Sequence, residues 1–128
     1  MAIDPNMHIL IVDDDASMVA VIRKLLKQID FHKADEASDG TAALRRLRGR
    51  DFDLVISDCE MEPMGGLELL AEIRGDTRLK NLPVVLATAN SLPGMAERAF
   101  AAGASGFIVK PFDSAALKAT LEGIFGES

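Results

Sequence analysis

The stretch "DLVISDCEMEPMGG", residues 53–66, decides how the rest of the chain is interpreted. Its residues 54–56 are apolar and are typical of a buried strand, and this run stops at Asp58. A loop rich in Glu, Met and Gly follows, and the next helix is expected to begin near Gly66. A buried strand that ends on a carboxylate is typical of an α/β protein whose site lies at the strand ends.

The same alternation of short apolar runs and amphipathic segments extends through the chain in both directions. Strands are predicted at 8–12, 33–37, 54–57, 83–88 and 106–109. A helix is predicted after each strand, the fourth within residues 91–104. Asp15, Asp39 and either Asp113 or Ser114 are the expected N-caps of the first, second and fifth helices. Five such repeats predict a doubly wound α/β fold, with a parallel sheet covered by helices on both faces.

Length and composition limit the possible classes of protein. The chain has 128 residues, 48% of them hydrophobic, which is enough for one domain with its own core. A net charge of −6 disfavours non-specific nucleic-acid binding, and no apolar run approaches the roughly 20 residues of a membrane helix. The start has no signal-peptide pattern. We therefore expect a single cytoplasmic domain over residues 1–128, with no output domain and no nucleic-acid or membrane partner.

Cys59 is the single cysteine of the sequence, so neither a disulfide framework nor a cysteine-based zinc site is expected. We interpret it as a small packed apolar residue rather than a nucleophile. His8 and His32 have no partner at ligand spacing and are expected to be structural.

Chemically active residue types follow four of the five predicted strands. Asp13 and Asp14 follow the first, Asp58 the third, Thr88 the fourth and Lys110 the fifth. Ligands of open α/β sheets bind beyond the carboxyl ends of the strands, so these side chains are expected at one edge. Each residue also has an ordinary structural explanation, but four such residues at four strand ends indicate a site.

The charges of this set predict a cation. If strands one and three are neighbours, Asp13, Asp14 and Asp58 lie together. Two carboxylates about 5 Å apart repel by roughly 3 kcal/mol at an effective dielectric constant near 20. Oxygen ligands favour a hard ion, and a small site that retains water suits Mg²⁺. A metal, a lysine and a hydroxyl group around one carboxylate suit phosphoryl transfer, with Asp58 as acceptor.

The segments "ILIVDDD", "DLVISD", "PVVLATA" and "GASGFIVKPF" together resemble the receiver domain of bacterial two-component response regulators. The likeness to single-domain chemotaxis-type regulators is strongest over "GLELLAEIR" and "AGASGFIVKPF". The resemblance implies a flavodoxin-like receiver fold with five helices and a five-stranded parallel sheet in the order 2-1-3-4-5. It also implies a role in phosphorelay signal transduction, with a histidine kinase or phosphotransfer protein as phosphodonor and a further, unknown protein as target.

Carried over by position, the resemblance implies that Asp58 is the phosphoacceptor. Asp14 would bind Mg²⁺ directly and Asp13 mainly through water, with the backbone carbonyl of Glu60 completing the metal shell. Catalysis would be limited to self-phosphorylation and autodephosphorylation, so the protein is expected to be a signalling module rather than an enzyme.

The remaining implied residues surround the phosphoryl group. Thr88 would bond a phosphoryl oxygen, Lys110 would pair with the group, and the small Ala89 would keep it accessible. The bond between Lys110 and Pro111 is a candidate for the cis form. Phe107 matches the aromatic switch position, where it lacks the hydroxyl of the commoner Tyr, so ring packing would carry the signal.

The loop after the acceptor departs from the family pattern. Glu62 occupies the usual Pro position, Pro63 comes one residue late, and Gly65 replaces an acidic or amide residue. The path of the loop and the cap of the next helix therefore stay open. Glu60 and Asn90 occupy positions that tune acyl-phosphate lifetime in this family.

Two alternatives belong to other classes. "ILIVDDDAS" loosely fits the start of haloacid-dehalogenase-type phosphatases, with Asp13 as nucleophile and Asp15 as acid/base, but this leaves Asp58 unexplained and lacks a later acidic pair. A binding-only pseudo-receiver is the other alternative, and the complete set of strand-end residues disfavours it. The usual output face, between helices four and five, carries Met95, Arg98, Ala102 and Lys118, which identify no partner.

Overall fold

The computed structural model describes residues 4–89 and 93–126. The strands are β1 (Ile9–Val12), β2 (Ala34–Ala37), β3 (Leu54–Asp58), β4 (Val84–Thr88) and β5 (Gly106–Val109). The helices are α1 (Ala16–Gln28), α2 (Gly40–Gly49), α3 (Gly66–Gly75), α4 (Met95–Ala101) and α5 (Ser114–Phe125). All strand pairs are parallel, and the sheet order is β2-β1-β3-β4-β5. The predicted fold class and strand order are confirmed.

The composition of each strand follows from its place in the sheet. Strands β1, β3 and β4 are buried along their whole length because helices cover both faces, which explains their almost continuous apolar sequences. Strand β2 lies at an edge and has the polar sequence ADEA. Separate apolar cores form on the two faces of the sheet, one centred on Leu10, Val55 and Leu86 and the other on Ile11, Ile56 and Val85.

Aspartates cap three of the five helices. The side chain of Asp15 accepts a hydrogen bond from the Ser17 N–H at 2.9 Å, and that of Asp39 accepts one from Ala42 at 2.8 Å. At α5 the cap is Asp113, whose Oδ1 accepts from the N–H of Ala116 at 2.8 Å. Asp113, rather than Ser114, therefore begins the last helix.

Several bounds differ from those that the sequence predicts. Strand β3 includes Asp58, because the Cys59 N–H donates to the Ala87 carbonyl at 3.0 Å and continues the ladder. Helix α4 spans seven residues, shorter than the predicted 91–104 segment, of which 91 and 92 lie outside the described residues. It begins after Gly94 and is followed by Gly103, both with positive φ angles, of 85° and 103°. These left-handed conformations suit glycine and interrupt helical geometry on both sides.

Arg74, near the end of α3, joins two distant connections. Its Nη1 donates to the carbonyls of Leu82 at 2.6 Å and Lys80 at 3.1 Å, and its Nε donates to the Gly103 carbonyl at 3.0 Å. Burial lowers the pKa of this guanidinium, but hydrogen bonds to the carbonyls satisfy its donors. Arg74 therefore fixes the segments that lead into β4 and β5.

A polar cluster holds edge strand β2 to its neighbours. Asp35 Oδ2 lies 3.2 Å from His8 Nε2 and 3.1 Å from Arg50 Nη1, and Arg23 Nη2 lies 2.7 Å from Glu36 Oε2. The ring of His8 packs edge-on against Phe52, which fits a structural role for this histidine.

Within the described ranges, no helix combines the length and apolar character needed to cross a bilayer.

Candidate functional site

Backbone hydrogen bonds fix the two buried carboxylates of the site at the carboxyl edge of the sheet. Asp13 directly follows β1, where its N–H donates to the Ala37 carbonyl at 3.1 Å, and it is 3% exposed. Asp58 is the last residue of the neighbouring strand β3 and is 9% exposed. Since β1 and β3 pair directly, their carboxylates leave the sheet side by side.

Lys110 bridges these two carboxylates from the far side of the sheet. Its Nζ lies 3.1 Å from Asp13 Oδ2 and 3.1 Å from Asp58 Oδ1. The lysine directly follows β5, and its N–H donates to the Thr88 carbonyl at 2.8 Å. Its side chain therefore reaches back across the end of β4 to the centre of the site.

Burial and charge act in opposite directions on these groups. Burial raises the pKa of Asp58, and the negative charge of Asp13 raises it further. The hydrogen bond and positive charge of Lys110 lower this pKa, as does the hydrogen bond from the backbone N–H of Glu60. Burial disfavours the charged form of Lys110, but hydrogen bonds to Asp13 and Asp58 outweigh this effect, so its pKa is raised. The ammonium group therefore stays protonated between its two partners.

Asp13, Asp14 and Asp58 lie close enough together to share one metal ion. Each offers a carboxylate oxygen, and these atoms lie within 4.8 Å of one another. Asp13 and Asp58 are largely enclosed, whereas Asp14 is exposed and open to solvent. Lys110 contacts two of these carboxylates, Asp13 and Asp58, and a divalent cation held by all three would offset their mutual repulsion. An all-oxygen set that is partly open to water fits Mg²⁺.

A pocket of about 390 Å³ opens beside the acceptor and is lined by Asp58, Glu60, Ala89 and Lys110. Thr88 is fully buried at the end of β4, one position beyond Ala87, the register partner of Asp58. The structure thus places four residues of the predicted site at one edge of the sheet: Asp58, Lys110, Thr88 and Ala89. Glu60 reaches the same pocket, while the metal-binding role of its carbonyl stays a prediction.

The atypical loop 59–66 folds tightly back onto the end of β3. The Gly66 N–H donates to the Cys59 carbonyl at 3.0 Å, and the Gly40 N–H donates to the Met64 carbonyl at 3.0 Å. The Glu62–Pro63 and Lys110–Pro111 peptide bonds are both cis. Gly65 is the N-cap of α3 and has no capping side chain, but Glu68 Oε1 accepts from its N–H at 3.5 Å. The open question of the loop path is answered by these backbone contacts.

Two glycines end this loop, Gly65 and Gly66, and both lie too close to the backbone of the acceptor strand to carry a side chain. A Cβ on Gly66 would overlap the Asp58 carbonyl and lie 3.0 Å from Cys59 Cα, and one on Gly65 would lie 2.8 Å from the Cys59 carbonyl oxygen. The backbone can approach the acceptor strand only without side chains at both positions. The Gly-Gly pair itself was the signal that could have indicated this close approach.

Cys59 is buried in the core beside the acceptor. Burial raises the pKa of its thiol to about 11, and the negative charges of Asp58 and Glu60 add to this rise. The protonated thiol therefore acts as a packed apolar group.

Phe107 is half-buried on β5 and packs against the core. Asn90 lies outside the described residues.

Asp15, the acid/base of the phosphatase alternative, caps α1. Its N–H also donates to Asp13 Oδ1 at 2.9 Å. The cap alone accounts for the third aspartate of "DDD", since it uses the Asp15 side chain, and the phosphatase motif loses its main support.

A parallel sheet of this order, with converging carboxylates and a lysine beyond its carboxyl ends, defines the class of receiver domains. Residues 9–122 match the sequence model of the response regulator receiver domain, and the chain belongs to this family. It is therefore a signalling module of the response regulator type.

One relative and two solved structures illustrate the likeness. The chain is 44% identical over 123 residues to chemotaxis protein CheY-3 of Vibrio cholerae, covering 96% of this chain and 95% of the relative. The solved structure of V. cholerae CheY4 matches with a TM-score of 0.85 and 30% identity, covering 94% of this chain and 99% of the other. The receiver domain of a sensor histidine kinase from Pseudomonas aeruginosa matches with a TM-score of 0.84 and 28% identity, covering 95% and 99%. That structure has a magnesium ion coordinated in its active-site cleft.

Proposed function

We propose that Asp58 accepts a phosphoryl group from the phosphohistidine of a histidine kinase or phosphotransfer protein. A carboxylate oxygen of Asp58 forms the new O–P bond while the P–N bond of the donor breaks. The electron pair of that bond stays on the imidazole nitrogen, which takes up a proton. The observation that supports this proposal is the nearly buried Asp58 carboxylate, held by β3 against Lys110 and facing an open pocket.

Each neighbouring group has a separate part in the proposal. Lys110 neutralises charge on the phosphoryl oxygens from its position between Asp13 and Asp58. Asp13, Asp14 and Asp58 would hold Mg²⁺, whose chemistry when bound is to neutralise the oxygens of the transferring group. The magnesium in the related P. aeruginosa receiver supports this choice of ion. Ala89 leaves the pocket accessible to the donor and later to water.

The proposed output is a change in partner binding. A phosphoryl group on Asp58 offers Thr88 a new acceptor, and the end of β4 then shifts towards it. Phe107, half-buried on the adjacent strand β5, would turn into the space released and alter the surface between α4 and α5. The likeness to chemotaxis proteins supports a chemotaxis-type signalling pathway for this chain.

The test is a site-resolved phosphorylation assay. The full chain is treated with acetyl phosphate and Mg²⁺, trapped by borohydride reduction, and mapped by tandem mass spectrometry. Modification at Asp58, lost in Asp58→Asn and retained in Asp51→Asn at the opposite end of the sheet, is the expected result. Modification at Asp13 would instead support the phosphatase alternative. Absence of modification, together with no response to beryllofluoride, would identify a binding-only module.

A further inference from the structure

Ser57 is a polar residue in a strand that is otherwise apolar up to the acceptor. It directly precedes the acceptor on β3 and is 0% exposed. Successive side chains of a strand point to opposite faces, so Ser57 points away from the acceptor site, into the core that contains Val55. Its register partners on the neighbouring strands, Val12 and Leu86, are apolar members of the same core. Packing alone would favour an apolar residue here, because a buried hydroxyl group is costly unless it forms a hydrogen bond.

The Ser57 hydroxyl group donates its hydrogen bond to the backbone carbonyl of Asp58, at 2.9 Å. The two polar groups of a trans peptide point in opposite directions, and the N–H that follows Asp58 faces β4, so this carbonyl faces the β1 side. The pairing of β1 with β3 ends at Val12 and Ser57, one residue before the carbonyl. The hydroxyl group therefore supplies a hydrogen bond at the point where the ladder stops.

The peptide that joins Asp58 to Cys59 is thus held at both of its polar groups. Its carbonyl accepts from Ser57, and its N–H donates to the Ala87 carbonyl at 3.0 Å. Gly66 packs so closely against the Asp58 carbonyl that a Cβ would overlap it, which leaves little room for water to replace the hydroxyl group. The hydrogen bond therefore restricts rotation about the Cα–C bond of Asp58, and with it the direction in which the carboxylate leaves the strand.

We propose that Ser57 is a positioning residue for the acceptor, which fixes the Asp58 backbone from the core side of the sheet. This inference rests on the proposed role of Asp58 as phosphoacceptor. Lys110 Nζ holds the other end of the residue, 3.1 Å from Asp58 Oδ1, so the carboxylate is aligned by one contact at its oxygen and one at its backbone. Ser57 is fully buried and acts on the reaction only through this backbone.

The same hydrogen bond would also serve the fold alone, and the two roles differ in one measurable respect. If the hydroxyl group only satisfies a buried carbonyl, its loss lowers stability, but the molecules that remain folded react as wild type does. If it aligns the acceptor, the folded molecules themselves react more slowly.

The experiment measures the rate at which acetyl phosphate with Mg²⁺ modifies Asp58, in variants that circular dichroism shows to be folded. In Ser57→Ala the rate should fall roughly three- to tenfold, since a misplacement of about 1 Å can cost about a hundredfold and the expected shift is smaller. Ser57→Thr keeps the hydroxyl group and should restore a rate close to that of wild type. The control, Val55→Ala, removes apolar atoms from the same face of β3, so it should lower stability and keep the wild-type rate.

Nuclear magnetic resonance gives a second readout that needs neither phosphodonor nor Mg²⁺. The carbonyl ¹³C resonance of Asp58 should move upfield in Ser57→Ala, because the carbonyl loses its donor, and should keep its position in Val55→Ala. An unchanged resonance in Ser57→Ala would show that the hydroxyl group does not hold this carbonyl.

Three kinetic results would also overturn the inference: a wild-type rate in Ser57→Ala, equal slowing in Val55→Ala, and slow reaction of Ser57→Thr despite a wild-type carbonyl resonance. If the added methyl group prevents Ser57→Thr from folding, the comparison of Ser57→Ala with Val55→Ala decides. Failure of the proposed function looks different, because the wild-type chain would then be modified at another residue or not at all. That result would remove the basis of this inference as well.

Discussion

Gly66 packs against the Asp58 backbone so closely that a Cβ at this position would overlap the Asp58 carbonyl. The atoms that it would meet are backbone atoms at the end of a central strand, which cannot turn away as a flexible side chain can. The spacing between the start of α3 and the end of β3 therefore depends on this glycine.

Gly66→Ala is expected to lower the free energy of unfolding by about 1–3 kcal/mol, as overpacking does in well-packed cores. The shift should also displace Asp58 and slow its modification by acetyl phosphate. Urea denaturation measures the first effect and mass spectrometry the second. Gly75→Ala is the matched control, since an added Cβ there meets no atom within 4 Å, and it should cause no loss. If Gly66→Ala is as stable as wild type, the loop can move away from the end of β3 and accommodate the added Cβ, which would contradict this prediction.

Asp14→Asn tests the proposed metal site, because Asp14 is the exposed member of the carboxylate cluster. Mg²⁺ should raise the free energy of unfolding of the wild-type protein. Once the Mg²⁺ concentration exceeds the dissociation constant, this gain should grow with the logarithm of the concentration. The variant should need at least roughly 10–100-fold more Mg²⁺ for the same rise in Tm, because this is the loss of affinity seen when residues that only support a metal ligand are replaced. Asp15→Asn, which keeps a capping oxygen on α1, should behave like wild type. An unchanged Mg²⁺ response in Asp14→Asn would remove this residue from the metal shell.

Lys110→Met tests whether the lysine and a divalent cation serve the same carboxylates. Without Mg²⁺, the variant leaves Asp13 buried without its ammonium partner, and a loss of about 3 kcal/mol in unfolding free energy is expected. Added Mg²⁺ should restore part of this stability, and the apparent affinity for Mg²⁺ should rise because a competing positive charge has gone. Calorimetry with and without EDTA measures both effects. A weaker Mg²⁺ affinity in the variant would contradict this coupling.

Arg74→Met removes the donors that join α3 to the segments before β4 and β5. Because the carbonyls of Leu82 and Gly103 lose their partner, the free energy of unfolding should fall by about 2–3 kcal/mol. Arg74→Lys should lie between wild type and Arg74→Met. Arg45→Met, at an exposed arginine without an ion pair among the described residues, should change stability by no more than about 0.5 kcal/mol. A loss of the same size in Arg45→Met would show that helix propensity, not these hydrogen bonds, is being measured.

Phe107→Ala tests the proposed route from the acceptor to the output surface. The variant should still bind beryllofluoride, but the accompanying change in amide hydrogen exchange across β5 and α4 should be lost, because no ring remains to repack. Phe100→Ala, on the exposed face of α4, should keep that change. A wild-type exchange response in Phe107→Ala would mean that another group carries the signal.

Hydropathy alternation predicted most of this architecture, and the reason is visible in the strands. The buried runs of β1, β3 and β4 are apolar on both faces, and the polar residues at or just beyond the strand ends, Asp13, Asp58 and Thr88, stand out in the sequence. The strand order came from family resemblance, since periodicity alone does not determine which strands pair. The carboxyl-edge residues were predictable because parallel strands bring their ends together.

Contacts made by backbone atoms were not predictable in the same way. The acceptors of Arg74 are carbonyls, which every residue carries, so no pattern marks Gly103 or Leu82 as partners. The same holds for the Gly40 and Met64 contact that fixes loop 59–66. The short α4 differs from its prediction because Gly94 and Gly103 adopt left-handed conformations that depend on the surrounding fold.

The two ion pairs on strand β2 also affect how the protein behaves in a crowded solution. An edge strand with free hydrogen-bonding groups can recruit a strand of another molecule and start aggregation. Asp35 and Glu36 place carboxylates along this border, where Arg50 and Arg23 hold them in position. The polar sequence of β2 thus opposes unwanted extension of the sheet from one molecule to the next.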